Sequence, residues 1–543
     1  MGTTANYDSR GHEYSSTPEC APCGGHLRGG QLAGGQLGLL MRQQRHWQVY
    51  FWQILLCLVL GAIALSLPAN AQTIRPYIDR AMDQISEFYL DNGMHFIVME
   101  QHQAPIVSFL TYVDVGGVDE PEGQTGVAHY LEHLAFKGTR RIGTTDYAAE
   151  KEKLAQLDRL FEQLQATTDE RQRQALITEF AAVQQAADRY VIRNQYGQIV
   201  QQAGGVGLNA TTSADATRYF YSFPANKLEL WMSLESERFL EPVFRDFYQE
   251  KEVILEERRL RTENSPTGQL FEAFLATSFR QHPYRRPVIG YREDIQNLRR
   301  ADVERFFRQY YTPDKMTMVL VGDVDPQKVK ELAKVYFSRY PKGTGKTTAI
   351  PPEPPQTEPR QITLELASQP LYIEAYPCPP LRDPAYLTYE ILTRLLSGGR
   401  TSRLYRSLVL EQKLALNVQA YVGFPGNKYP NRFLIYGAPA PGQTTAALAA
   451  GIAQELKALQ TTPVTAAELD RVKAQLRMEL LQNLMSNEGM AKLLAEYAVK
   501  GGGWQQLFAR LEAINDITPA DIQRVAQSLQ PQQRTVAQIQ TRS

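Results

Sequence analysis

The sequence predicts an α+β protein of two domains behind an N-terminal leader. Three observations predict it. The chain has 543 residues, more than one core ordinarily fills. A Pro- and Gly-rich linker over residues 341–359 separates two long segments of globular composition. Both segments carry regular patterns: paired helical stripes in the first, and in the second a strand-like run at 361–366 followed by helical runs at 446–459 and 466–484. The domains are therefore placed at 78–340 and 360–540. Hydrophobic content of 43% is ample for large cores. Lys+Arg and Asp+Glu are 58 each, which argues against a nucleic-acid binder driven by bulk charge.

The leader comes first. Residues 1–40 are rich in Gly, Gln and Ser without apolar periodicity and are read as an upstream extension. Met41 then opens a basic stretch containing Arg42 and Arg45, followed by an apolar run over about 49–67 and the small-x-small site Ala69-Asn70-Ala71. This is the pattern of a secretory signal peptide over 41–71. It predicts export to the periplasm or the outside, with no stable membrane insertion after cleavage. An uncleaved anchor is the alternative, because the run is nearly long enough to span a bilayer. Cys20, Cys23 and Cys57 all fall in the leader, so only Cys378 remains and no intrachain disulfide is expected.

The chemistry begins at His129-Tyr130-Leu131-Glu132-His133. On a helix, residues four apart leave the same face, so both imidazoles can reach one tetrahedral zinc. Glu132 stays near that face and can reach a water without being a ligand. The order is H-x-x-E-H, the inverse of the zincin motif. The flanks Val127, Ala128, Leu131, Leu134 and Phe136 are apolar. Two His and a Glu buried there without partners would be costly, and a metal removes that cost. A third ligand must come from elsewhere. The acidic segment 247–259 reads as a helix with Val253 and Ile254 packed inward and with Glu252, Glu256, Arg258 and Arg259 on its surface. Glu250 and Glu257 are seven apart and share a face, so one can bind metal while the other supports it. Spacing alone separates Glu257 from Glu256 only slightly.

Six blocks in order resemble the pitrilysin, insulin-degrading enzyme and mitochondrial processing peptidase family of inverzincins. They are Leu90-Asp91-Asn92-Gly93-Met94, the stretch from Gly126 to Thr139, Gly207-Leu208-Asn209-Ala210-Thr211-Thr212-Ser213, the run from Glu250 to Glu257, the stretch from His282 to Gly290, and that from Leu396 to Tyr405. The resemblance covers about residues 85–540. It implies zinc as cofactor, with His129, His133 and Glu257 as ligands. It implies Glu132 as general base and Glu250 as the second carboxylate of the site. Asn209 and Ala210 would lie on an edge strand that peptide substrates extend. Each domain would be a mixed β-sheet with helices packed on it, the two being related in fold. The implied activity is zinc endopeptidase on peptides or unfolded segments. The alternative is a non-catalytic scaffold subunit, but scaffold relatives lose zinc-site residues and this chain keeps them.

Two departures from the family pattern stand out. From His133 to Glu257 is 124 residues, and the excess lies in about 146–202. Leu154, Leu157, Leu160, Phe161 and Leu164 form one stripe, and Leu176, Ile177, Phe180 and Val183 another, with a break at Thr167-Thr168-Asp169. That predicts a helical hairpin insertion. Second, relatives that supply an Arg and a Tyr from the second half have them where this chain has Val409 and Leu416. The resemblance then implies a homologous second subunit, a heterodimer being favoured over a homodimer.

Overall fold

The computed structural model describes residues 75–343 and 348–542, so the leader, its signal pattern and its cysteines lie outside the described residues. Among the described residues no helix is long and apolar enough to cross a membrane.

Two mixed sheets organise the chain. The first has the order β1-β2-β6-β3-β5-β4, with β1 Ile85–Tyr89, β2 His95–Glu100, β3 Ile106–Val113, β4 Val206–Thr212, β5 Thr217–Pro224 and β6 Met316–Gly322. The second has the order β7-β11-β8-β10-β9, with β7 Arg360–Leu366, β8 Leu371–Cys378, β9 Ala415–Phe424, β10 Asn431–Pro439 and β11 Thr535–Thr541. In the first sheet β2 runs parallel to β6, and β6, β3, β5 and β4 then pair antiparallel in turn. The second repeats this: β7 is parallel to β11, and β11, β8, β10 and β9 follow antiparallel. The fold is thus α+β with two related halves. The turn before β2 forms where Asn92 and Gly93 predict it: Gly93 takes φ +96°, and the Asn92 side chain accepts the Met94 N–H at 3.1 Å.

Burial follows strand position. Every residue of β6 is buried, because helices cover both faces of this central strand and an unbroken apolar run is what such a strand needs. The main core joins this sheet to its helices, with Trp231 stacked on Phe109 at 4.5 Å. β4 is an edge strand with only β5 beside it, and it is largely solvent-facing.

The halves exchange helices. Helix Pro266–Ser278 comes between β5 and β6 yet packs on β7 and β11 of the second sheet. Its Leu270, Phe274 and Leu275 join Ile373, Ala375, Leu434 and Ile539 in one core. Helix Asn487–Lys500, at the corresponding place between β10 and β11, packs on β3 and β6 of the first sheet.

The predicted hairpin is present as helices Tyr147–Ala166 and Glu170–Asp188. Asp146 and Asp169 cap their N-termini, accepting the Ala149 and Gln172 N–H groups at 3.1 and 2.8 Å. Leu154, Leu157, Leu160, Leu176 and Val183 face one another and Val243, whereas Ile177 is 41% exposed. The hairpin rests on Tyr248, whose hydroxyl donates to Asp158 at 3.0 Å.

A buried polar latch closes the exchange. Lys500 is 3.2 Å from Asp215 and 2.9 Å from Glu496, and Arg218 reaches Glu496 at 2.6 Å. Burial opposes ionisation of Glu496, but Lys500 and Arg218 outweigh it and hold the carboxyl down at about 2. A carboxyl depressed in the folded state contributes stability that is complete above the ordinary carboxylate range and lost as pH falls toward 2. The shift from 4.5 to about 2 corresponds to roughly 3 kcal/mol. Glu496→Gln should therefore lower the urea midpoint at pH 7, and its deficit against the wild type should shrink between pH 5 and pH 3. A deficit that stays constant over that range would remove Glu496 from the acid response.

Candidate active site

Two helices far apart in sequence build the site. Helix Val127–Leu134 carries His129, Glu132 and His133. Its start is fixed by Glu120, a buried carboxylate that accepts the Gly126 and Ala128 N–H groups at 3.0 Å each. Burial raises the Glu120 carboxyl to about 8, against the pull of those two amides. Gly126 is required there: its φ is +88°, and a Cβ would come within 2.7 Å of the Ile289 carbonyl. Helix Phe247–Arg258 carries Glu250 and Glu257. The Tyr130 hydroxyl donates to the Phe247 carbonyl and ties the two helices together.

The predicted ligands converge. His129, His133 and Glu257 place one ligand atom each within 4.8 Å of one another, and they are the cluster of this kind among the described residues. Glu257 Oε2 lies 3.6 Å from His133 Nε2 and 3.9 Å from His129 Nε2. A tetrahedral zinc with bonds of about 2.0–2.1 Å needs ligand atoms roughly 3.3 Å apart, so small inward movements suffice. The side chains are 12, 23 and 18% exposed, which leaves an approach for water. The donor set, two imidazoles and one carboxylate, suits zinc with an open fourth position. Glu257 turns its other oxygen to Arg261, 2.7 Å away and one helical turn on. Glu256 faces outward and pairs with Arg259 at 2.6 Å, which distinguishes the two carboxylates that spacing could not separate.

Glu250 stands behind His133. The His133 Nδ1 lies 3.2 Å from Glu250 Oε2, which turns Nε2 toward the cluster. Lys137 bonds the other Glu250 oxygen and lies 3.7 Å from Asp246. Burial pushes the His129 imidazole down to about 3, helped by the His133 and Arg261 charges, so it offers a neutral lone pair. Burial would lower His133 as well, but its bond to Glu250 and the carboxylates of Glu132 and Glu257 outweigh this and raise it.

Glu132 sits beside the cluster and accepts a hydrogen bond from the Thr212 hydroxyl. Burial raises its carboxyl, while Thr212 and His133 pull the other way. Thr212 ends β4, so the edge strand terminates at the site; Asn209 is exposed on it and Ala210 is buried. The Asn209 side chain accepts the Ala210 N–H at 2.9 Å. A cleft of about 420 Å³ opens beside Glu132 and His133.

Some expectations need correction. Val253 is 49% exposed, and of the two only Ile254 packs inward. Arg258 is buried, not on the surface: it bonds Glu272 at 2.9 and 3.0 Å and the Gly290 carbonyl at 2.7 Å. The contacts of Thr212, Lys137 and Arg261 were not anticipated, although the Glu257–Arg261 spacing of four is itself a helical pairing signal. Val409 lies half-buried in the π-helical turn Tyr405–Glu411, Leu416 is 50% exposed on β9, and Tyr421 lies on the same strand.

Comparison with known proteins agrees with this architecture. The family model described as insulinase (peptidase family M16) matches residues 96–175 and 185–292. The model described as peptidase M16 inactive domain matches residues 297–476. A zinc protease of Helicobacter pylori, PqqE, is 29% identical over 447 residues, covering 80% of this chain and 88% of that protein. A probable mitochondrial-processing peptidase subunit beta of Schizosaccharomyces pombe is 23% identical over 490 residues, covering 86% and 93%. The crystal structure of a protease from Helicobacter pylori superposes with a TM-score of 0.71 at 27% identity, covering 84% of this chain and 99% of that one. With both models of one peptidase family matched in order, and the two sheets arranged as in its solved members, the chain belongs to the M16 family, whose pitrilysin and processing-peptidase branches its motifs resemble.

Proposed function

We propose that this protein is a zinc endopeptidase that hydrolyses peptides or unfolded polypeptide segments. The observation that carries the reading is the convergence of His129, His133 and Glu257 on one point with Glu132 beside them. When bound, zinc supplies Lewis-acid chemistry, acidifying a water and polarising a carbonyl. The chain's own groups do the rest. Glu132, its carboxyl raised by burial, takes the proton of the attacking water and passes it to the leaving amine. The Thr212 hydroxyl donates to Glu132 Oε2 and fixes the orientation of the carboxyl. Glu250 acts as a positioning residue, keeping His133 turned with Nε2 toward the metal. The open edge of β4 takes the substrate as an added strand through main-chain hydrogen bonds near Asn209 and Ala210, which demands little of its sequence. A scaffold role is disfavoured because the ligands and Glu132 are all retained.

Purified 72–543 should bind about one zinc per chain and lose turnover with chelator. His129→Ala, His133→Ala and Glu257→Ala should each lose metal, and Glu256→Ala should keep it. Glu132→Gln should keep metal while turnover falls by about 10²-fold or more. Zinc retained in full by Glu257→Ala would overturn the ligand set. In Glu132→Gln, bound peptide should slow hydrogen exchange at 206–212; protection elsewhere only would remove β4 as the substrate strand.

The leader pattern supports an exported protein, periplasmic or extracellular, whose mature chain starts at Gln72; N-terminal sequencing of the exported form checks this. Its partner, we infer, is a homologous second subunit, in a heterodimer sooner than a homodimer. Val409 and Leu416 support this, since neither can donate a hydrogen bond to a developing oxyanion. The chain alone should show weak peptide turnover that rises at least tenfold with a homologous subunit carrying Arg and Tyr at those positions. Full activity from a pure homodimer in light scattering and peptide assay, unchanged by any homologous subunit, would reject it.

A further inference from the structure

The helix that carries Glu257 does not stop at its last regular turn. It runs on into a π-helical turn, Arg259–Glu263, closed by the Asn264 N–H on the Arg259 carbonyl at 2.8 Å, five residues back. Such turns are rare, and this one is pinned from several sides. Buried Arg258 lies 3.3 Å from the Glu263 carboxylate, and Arg292 donates to the same carboxylate at 2.8 Å. Thr262 is buried between them in sequence. Helix Pro266–Ser278 closes in from beyond: a Cβ at Gly268 would come within 2.0 Å of the Arg261 carbonyl, so only glycine lets the helix lie so near. Arg261 is therefore presented from a fixed main chain, although its side chain is 63% exposed.

Arg261 Nη1 lies 2.7 Å from Glu257 Oε1, and among the described residues no other carboxylate pairs with this guanidinium. The arginines around it are committed elsewhere: Arg259 to Glu256, Arg258 to Glu272 and Glu263, and Arg292 to Glu263. The Glu257 carboxylate is thereby divided. Its Oε2 faces the Nε2 atoms of His133 and His129 at 3.6 and 3.9 Å, and its Oε1 faces the guanidinium. A carboxylate can offer a cation one oxygen or both. We propose that Arg261 is a positioning residue for Glu257: it holds Oε1, so that Glu257 meets the metal through Oε2 alone and a coordination position stays open to water. The inference rests on the zinc reading above. Glu250 orients the His133 imidazole from behind, and Arg261 does the matching task for the carboxylate ligand. An exposed ion pair four residues apart on a helix adds little to folding, so the effect of Arg261 is expected at the metal and not in stability.

The test compares 72–543 with Arg261→Gln, Arg261→Lys and, as a control, Arg259→Gln, which breaks a pair of the same kind on the outward side of the helix. Zinc affinity is read by competition with a chromophoric chelator, and coordination by the visible spectrum of the Co2+-loaded protein. Arg261→Gln should bind zinc about tenfold to a hundredfold more weakly, and its Co2+ absorption should weaken toward that of a five-coordinate site. Arg261→Lys keeps a cation beside Oε1 and should recover most of both. Arg259→Gln should match the wild type, and the metal-free chains should all melt together. Zinc affinity and a Co2+ spectrum in Arg261→Gln equal to those of the wild type, or an equal loss in Arg259→Gln, would overturn the role of Arg261 and leave the zinc reading standing. A wild type that binds neither zinc nor Co2+ would overturn both together.

Discussion

The site depends on one constraint: two helices distant in sequence must bring two imidazoles and two carboxyl groups, those of Glu132 and Glu257, to one partly buried point. Such groups are costly to bury unpaired, and without a cation their demands conflict. His129 is driven neutral by burial while His133 is drawn toward protonation by three carboxylates. A divalent cation would resolve the conflict, since it would meet both imidazoles as neutral ligands and balance the acids around them. The surrounding contacts keep the two helices at the distance this requires. Tyr130 ties the start of one to the body of the other, Glu120 caps the first, and Lys137 holds Glu250 against His133.

The second half contributes to this point without placing a ligand in it. Thr212, which orients Glu132, ends β4, and the next residues turn into β5 through Asp215 and Arg218. Asp215 receives the Asn427 and Lys428 N–H groups from the second half at 2.8 and 3.0 Å, and Lys500 from the exchanged helix. The end of the edge strand is thereby clamped from behind. An edge strand with one open side has no partner there, so its rigidity comes from the turn and from β5. The helix exchange places the clamp there.

How much of this was legible in the sequence follows from the range of each interaction. The two His and Glu132 were legible because covalent spacing on one helix fixes their common face. Glu250 and Glu257 shared a face for the same reason, but Glu257 against Glu256 needed the tertiary structure, which shows the latter turned outward to Arg259. The sequence reads Val253 and Ile254 as an inward pair, but the inward pair is Ile254 and Leu255, and Val253, one step earlier on the helix, is turned 49% out to solvent. Arg258 looked like surface because its partners, Glu272 and the Gly290 carbonyl, are remote in sequence. The hairpin was legible from its apolar stripes and its Asp169 cap. Its link to the site through Glu150 and Arg245 was not, because a fully buried ion pair gives no local pattern. Helix exchange and the parallel pairing of β2 with β6 are likewise long-range.

The two sheets share a topology but not a chemistry. Helix Tyr386–Ser397 follows β8 as helix Val127–Leu134 follows β3, yet it contains no His. Its Tyr386, Leu387, Ile391, Leu392, Leu395 and Leu396 are all buried, so its inward face is given to packing. The first half makes the opposite use of the same place, with the ionisable His129, Glu132 and His133 in place of apolar contacts. Such a replacement weakens a core locally, and the first half has local reinforcements to match: the Glu120 cap, the Arg245–Glu150 pair and the Arg258–Glu272 pair all surround the metal helix or its partner. The second half keeps an uninterrupted core and lends a helix. The sheet beside these ionisable groups is thus braced by a related half whose matching helix is given to packing.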